Sequence, residues 1–195
     1  MKRKKELIAL ILCLVGTVYT IWYMHFGELT TNAGALSKTG LRHPVYFAIW
    51  GALTYTALHY GIFYTQALLF KVKKYQYALS AIALIGMILT LTCRFDYSFK
   101  AEYYLHCAGS LCFSALTGIS VFSVFLLNYK KSNYFKVFTF IIGLILTSDM
   151  VLLLIYKETA LIEAIPVLFG LIILPATALK YRDIKQNDKD FQYAS

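Results

Sequence analysis

His59, Glu102, His106 and Asp149 lie within or beside long apolar runs, and Asp96 and Ser110 stand close to them in the stretch CRFDYSFKAEYYLHCAGSLCF, residues 93–113. A titratable group in such surroundings is costly unless it has a partner, a proton or a task. His106, Ser110, Ser114 and Gly118 recur every fourth residue and so share one helix face, with Glu102 one turn above. Small residues at that spacing let helix backbones approach closely, which predicts a packing role for Ser110, Ser114 and Gly118. Asp149 follows Thr147 and Ser148 and lies roughly 12 Å below the end of its apolar run at 1.5 Å per helical residue. A carboxylate at that depth calls for a partner or a bound proton.

These positions suggest two kinds of chemistry. His106 or Asp149 has the right type for a general base. His59, Asp96, Glu102, His106, Ser110 and Asp149 have the right types to line a ligand pocket whose walls are otherwise apolar. His59 shares a face with Gly51 and Tyr55, about 21 Å below the boundary at which His106 sits, so the two cannot ligate one haem. A metal needs three or four converging donors, and His25, His43, Asp96, Glu102 and His106 are enough for an outer-face zinc. HExxH, HxxxH and CxxC are all missing, so no cofactor is expected from local spacing, and neither a nucleophile elbow nor a phosphate-binding glycine loop is present. Cys13, Cys93, Cys107 and Cys112 lack redox spacing and read as inert thiols, although Cys93 and Cys107 fall at the same level.

The elements that must carry these groups are helices in a membrane. The chain is 59% hydrophobic and 15% charged, with a mean hydropathy of +0.61. Crossing ~30 Å of hydrocarbon takes about 20 apolar residues. Six runs qualify, at about 7–23, 45–70, 77–93, 103–127, 135–156 and 160–179, predicting an all-α, integral membrane six-helix bundle over 1–180. The rest, 181–195, reads as a polar cytoplasmic tail. The first run starts like a signal peptide, MKRKK and then LIALILCLVG, but no small-residue cleavage site follows, and Tyr19, Trp22 and Tyr23 form an interfacial aromatic group.

Charge sets the orientation. With the N-terminus in the cytoplasm, the inner segments hold Lys2, Arg3, Lys4, Lys5, Lys71, Lys73, Lys74, Lys130, Lys131, Lys136, Lys180, Arg182, Lys185 and Lys189, against Lys38, Arg42, Arg94, Lys100 and Lys157 outside. Fourteen against five is the positive-inside distribution with both termini inside. It accounts for the +9 net charge without nucleic acid and brings the basic loops to anionic inner-leaflet lipids. Glu28, Asp96, Glu102, Asp149, Glu158 and Glu163, with His25, His43 and His106, form a polar collar at the outer level. The segment from Met24 to Pro44 reads as an outer loop or lid. The short links KVKKYQ and YKKSNYFK make their flanking helices antiparallel neighbours, and no internal repeat of the transporter kind is visible.

An outer loop ending in a Ser-x-x-Gly element, ALSKTG from Ser37 to Gly40, leads into the second run. An acid follows the third run in RFDYS, Asp96, and YLHCAGSLCF with His106 opens the fourth. Together these features resemble the six-helix membrane family of damage-regulated autophagy modulators and GPI-anchor lipid-remodelling proteins, in its prokaryotic branch. The resemblance implies six spans, a lipid-handling, scaffolding or regulatory role, and Ser37, Gly40, Asp96 and His106 as the marked positions.

Three functions remain open. The first is a non-enzymatic scaffold or regulator whose outward-facing pocket binds a membrane lipid or small amphiphile. The second is an intramembrane lipid hydrolase or transferase with a His and carboxylate site. The third is a proton-coupled solute transporter with Asp149 and His59 as relay groups. The setting implied by size and charge is a bacterial cytoplasmic membrane, with room for a protein partner or a homo-oligomer.

Overall fold

A computed structural model describes residues 2–193, with side chains over 3–182. The elements are α1 (Lys2–Met24), a 3-10 turn (Asn32–Gly34), α2 (Leu36–Arg42), α3 (Pro44–Leu69), α4 (Lys74–Thr92), α5 (Lys100–Leu126), α6 (Asn133–Tyr156) and α7 (Ala160–Tyr193). The described residues contain no strand. The all-α expectation holds, and each expected apolar run falls inside one long helix to within a residue at its end. Five of these, α1, α4, α5, α6 and the Ala160–Arg182 part of α7, are long and apolar enough to cross a membrane.

The exception is the second expected span. At 26 residues α3 is long enough, but it does not reach the hydropathy of the other five. The cause lies in its position. It packs against α1, α7, α2, α4 and α5, and its polar residues Thr54, His59, Thr65 and Gln66 are buried against protein. Helix α7 continues as one element to Tyr193, and the tail expected over 181–195 falls almost entirely outside the residues whose side chains are described.

The helices form without side-chain caps at the starts of α3, α4, α5 and α6. What favours the helix here is the length of the apolar runs, because in apolar surroundings a helix satisfies its interior backbone N–H and C=O groups within the segment. Pro44 opens α3 at a first-turn position, where its missing N–H costs nothing. Lys157 ends α6 in the left-handed region at φ 60°.

Packing is uneven. Helix α4 lies most closely along α5, and a methyl group added at Gly109 would stand 2.6 Å from the Gly86 carbonyl oxygen and 3.0 Å from the Thr90 amide nitrogen. The close helix crossing is thus made by Gly86 and Gly109, one position away from the Ser110 face expected to pack. Helices α1, α3 and α7 form a second close group, and Leu58, Ile62, Met87, Phe125 and Leu174 fill the core between the groups. Helix α6 stands at the edge, mainly against α5 and α7. Only 11% of its most apolar stretch is buried, against 33–44% for the other four.

The segment between α1 and α3, the outer segment of the expected topology, differs from a plain loop. It contains α2, and Ala35, Leu36, Thr39 and Gly40 are buried. Among the contacts that dock it, Tyr23 Oη–H donates to the Leu36 carbonyl at 3.0 Å, Leu161 N–H to the Leu29 carbonyl at 3.2 Å, and Asn32 Nδ2–H to the Glu158 carbonyl at 2.8 Å. Gly34 is required in this segment, because any Cβ there would meet the Glu28 backbone at 1.9 Å.

Candidate functional site

The buried polar centre is a contact of three elements, α2, α5 and α7. Ser37 Oγ lies 3.0 Å from His106 Nε2 and 3.2 Å from Glu163 Oε1, while the other Glu163 oxygen accepts the Leu36 backbone N–H. His106 Nδ1 lies 2.9 Å from the Cys93 carbonyl oxygen at the end of α4. Phe47 stacks on the imidazole at 6.2 Å and Phe95 tilts against it at 5.0 Å. Gly40 in turn accepts the Phe47 ring, which a Cβ there would meet at 2.7 Å. Ser37 and His106 are both nearly inaccessible.

Hydrogen-bond chemistry constrains the protons of this cluster. A carbonyl can only accept, so His106 Nδ1 carries a hydrogen. The Ser37 hydroxyl has one hydrogen and two facing groups. If Nε2 is bare, Ser37 donates to it, and Glu163 in its acid form donates to Oγ. If Nε2 is protonated, it donates to Oγ, and Ser37 donates to the Glu163 carboxylate. The two arrangements have the same number of protons and differ only in their placement, so the hydroxyl links a base on one side to an acid on the other.

Below this cluster a cavity of about 310 Å³ runs between α5, α6 and α7. Ser37, His106 and Glu163 line one end, followed by Ser110, Ser114, Gly118, Phe113, Ile142, Leu146 and Val167. Its ionisable groups are Asp149, Glu158, Glu163, His106 and Cys107, and no Lys or Arg lines it. The wall residues Leu111, Ile119 and Met150 are exposed, so the cavity opens sideways between α5 and α6. A neighbouring cavity between α6 and α7 shares Ile145, Asp149 and Ile162, and the outer loop reaches it through Thr30. Half-buried Asp149 forms no hydrogen bond or ion pair with a described residue and sits where the two cavities adjoin.

The remaining sequence-derived positions separate. Ser110 lines the cavity. His59 is buried on α3, 3.2 Å from Thr117 Oγ1 and against the Tyr55 ring, and is not a wall residue. Glu102 is partly exposed in the first turn of α5, where its carboxylate pairs with Arg94 at 3.1 Å. Asp96 is also outside this wall and accepts the Ser98 N–H at 2.8 Å. That bond, with help from the nearby Arg94 charge, holds its carboxyl below the usual carboxylate range. His25 bonds its own helix at the Ile21 carbonyl, and His43 lies between the rings of Phe26 and Tyr46. His25, His43, Asp96, Glu102 and His106 therefore do not converge, and no group of three metal donors occurs among the described residues. Cys93 and Cys107 are free thiols.

Sequence reasoning did not assign Glu163 to the site, nor Ser37 as the direct partner of His106 outside the family resemblance. No family model matches the chain, and no curated protein or solved structure matches it.

Proposed function

We propose that the protein is a six-span integral membrane protein of a bacterial-type cytoplasmic membrane, with both termini inside, that holds a lipid or small amphiphile in its α5–α6–α7 cavity. The sixth span is α3, whose low hydropathy reflects protein neighbours on most sides. The observation that carries the reading is the cavity's asymmetry. Its walls are mostly apolar and open toward the space between α5 and α6, and the Ser37, His106 and Glu163 side chains gather at one end of it. An apolar chain fits the walls, and a hydroxyl- or amine-bearing end fits the hydrogen-bonding cluster. Weak packing of α6 supports sideways access from the bilayer, and the docked outer segment covers the cluster from above.

Kinship with the damage-regulated autophagy modulators and GPI-anchor lipid-remodelling proteins is part of the same proposal and rests on Ser37, Gly40, Asp96 and His106. The test is lipid mass spectrometry on protein purified in mild detergent, wild type beside Ser114→Trp, which places an indole in the cavity mouth. A defined lipid class in wild type that falls about tenfold or more in the variant supports the reading. Equal lipid content in both proteins rejects it.

A further inference from the structure

We propose that Ser37 is a nucleophile that takes an acyl group from a neutral lipid ester seated in the α5–α6–α7 cavity, with His106 as its general base. This rests on the lipid-binding reading above. The geometry meets the requirement for an activated hydroxyl: nucleophile and base within hydrogen-bond reach, and the base oriented by a third group. Ser37 Oγ and His106 Nε2 are 3.0 Å apart, and the Cys93 carbonyl, 2.9 Å from Nδ1, places a hydrogen on Nδ1, so in the arrangement with Glu163 in its acid form Nε2 is bare and accepts the Ser37 hydroxyl. Phe47 and Phe95 hold the ring. Both Ser37 and His106 line the cavity, so an ester carbonyl at its closed end meets the hydroxyl while the acyl chain lies along Phe113, Leu146 and Val167.

In the first step Ser37 Oγ bonds to the ester carbonyl carbon as Nε2 takes the hydroxyl proton. The carbon–alkoxy bond then breaks, and the departing alcohol leaves with the proton from Nε2. In the second step water or the hydroxyl of another lipid attacks the Ser37 ester. Its proton passes to Nε2 and then to Ser37 Oγ, which regenerates the serine and releases fatty acid or a transferred ester. No oxidant, reductant or metal is needed for this balance. Glu163 is a positioning residue, because it holds Ser37 from the second side and bonds the Leu36 N–H. The substrate class follows from the wall, where the Asp149 and Glu158 carboxyl groups face the cavity without a Lys or Arg. Anionic headgroups are repelled there, and uncharged ones are accepted.

The experiment treats the full-length wild-type protein, in mild detergent, with an alkyl fluorophosphonate, maps the adduct by peptide mass spectrometry, and measures bound lipid on the same sample. Phosphorus bonds Ser37 Oγ as fluoride leaves, so the expected result is one adduct at Ser37. It is absent from protein unfolded in SDS and from Ser37→Ala, and forms about 100-fold more slowly in His106→Gln, the usual size of a general-base contribution. Monoacylglycerol should be cleaved at least tenfold faster than phosphatidylglycerol. Mapping on wild type needs no variant to fold. Bound lipid with no Ser37 adduct would overturn the nucleophile and leave the binding reading standing. An adduct on protein that retains no lipid would overturn the cavity as the substrate site. Faster cleavage of the anionic lipid would overturn the substrate class.

Discussion

His106 is the residue on which most of the site's order depends, since its two ring nitrogens connect the end of α4 to the outer segment through Cys93 and Ser37. His106→Ala leaves Ser37 without that partner in a buried place and should cost about 1–3 kcal/mol, visible as a lower unfolding temperature in detergent. Glu102→Ala, which breaks an ion pair whose side chains are 56% and 36% exposed, should change stability by no more than about 1 kcal/mol in the same assay. Asp96 gives a pH signature of definite sign. Its folded carboxyl titrates below the ordinary range, so the contribution of its bond to the Ser98 N–H is fully present above that range and is lost as pH falls through the folded value. Asp96→Asn should therefore flatten the acid limb of the stability curve. Residue type in an apolar run was enough to single out His106 and Asp149. Glu163 was not legible in this way, because the group it serves, Leu36 N–H, is 127 positions away.

At the scale of elements, the α4–α5 crossing is the most specific packing. Gly109→Val drives a branched side chain into the backbone of α4 and should cost about 1–3 kcal/mol or more, or prevent folding. Gly143→Ala meets only a Phe122 ring carbon at 3.6 Å and should be neutral or gain up to about 1 kcal/mol from helix propensity. Comparing detergent melting of the two variants checks the pair. The sequence showed a small-residue line on α5 but could not tell which neighbour it faced. The crossing uses Gly109, and Ser110, Ser114 and Gly118 were left facing the cavity. Helix α2 was hidden for a related reason. Its first residue has no local side-chain cap, and the carboxylate at its start comes from α7.

For the whole molecule, composition and run lengths gave the all-α class and the places of the long helices, because bilayer thickness dictates both. The run at 45–70 is less apolar than the other five, and the structure shows its helix α3 enclosed by α1, α7, α2, α4 and α5. The proposed orientation predicts that a membrane-impermeant maleimide applied to intact cells labels Thr31→Cys and spares Lys130→Cys, in a chain whose native cysteines are replaced by alanine or serine. Labelling of Lys130→Cys alone would invert the topology and carry the cluster to the inner side. The most direct test of the account is photocrosslinking of a diazirine-bearing lipid to the full chain in membranes, followed by peptide mapping. Adducts concentrated on cavity-wall positions of α5 and α6, such as Ser114, Leu146 and Met150, and reduced by Ser114→Trp, are the predicted result. Adducts spread evenly over the exposed faces of α1, α4 and α6, unchanged by that substitution, would contradict it.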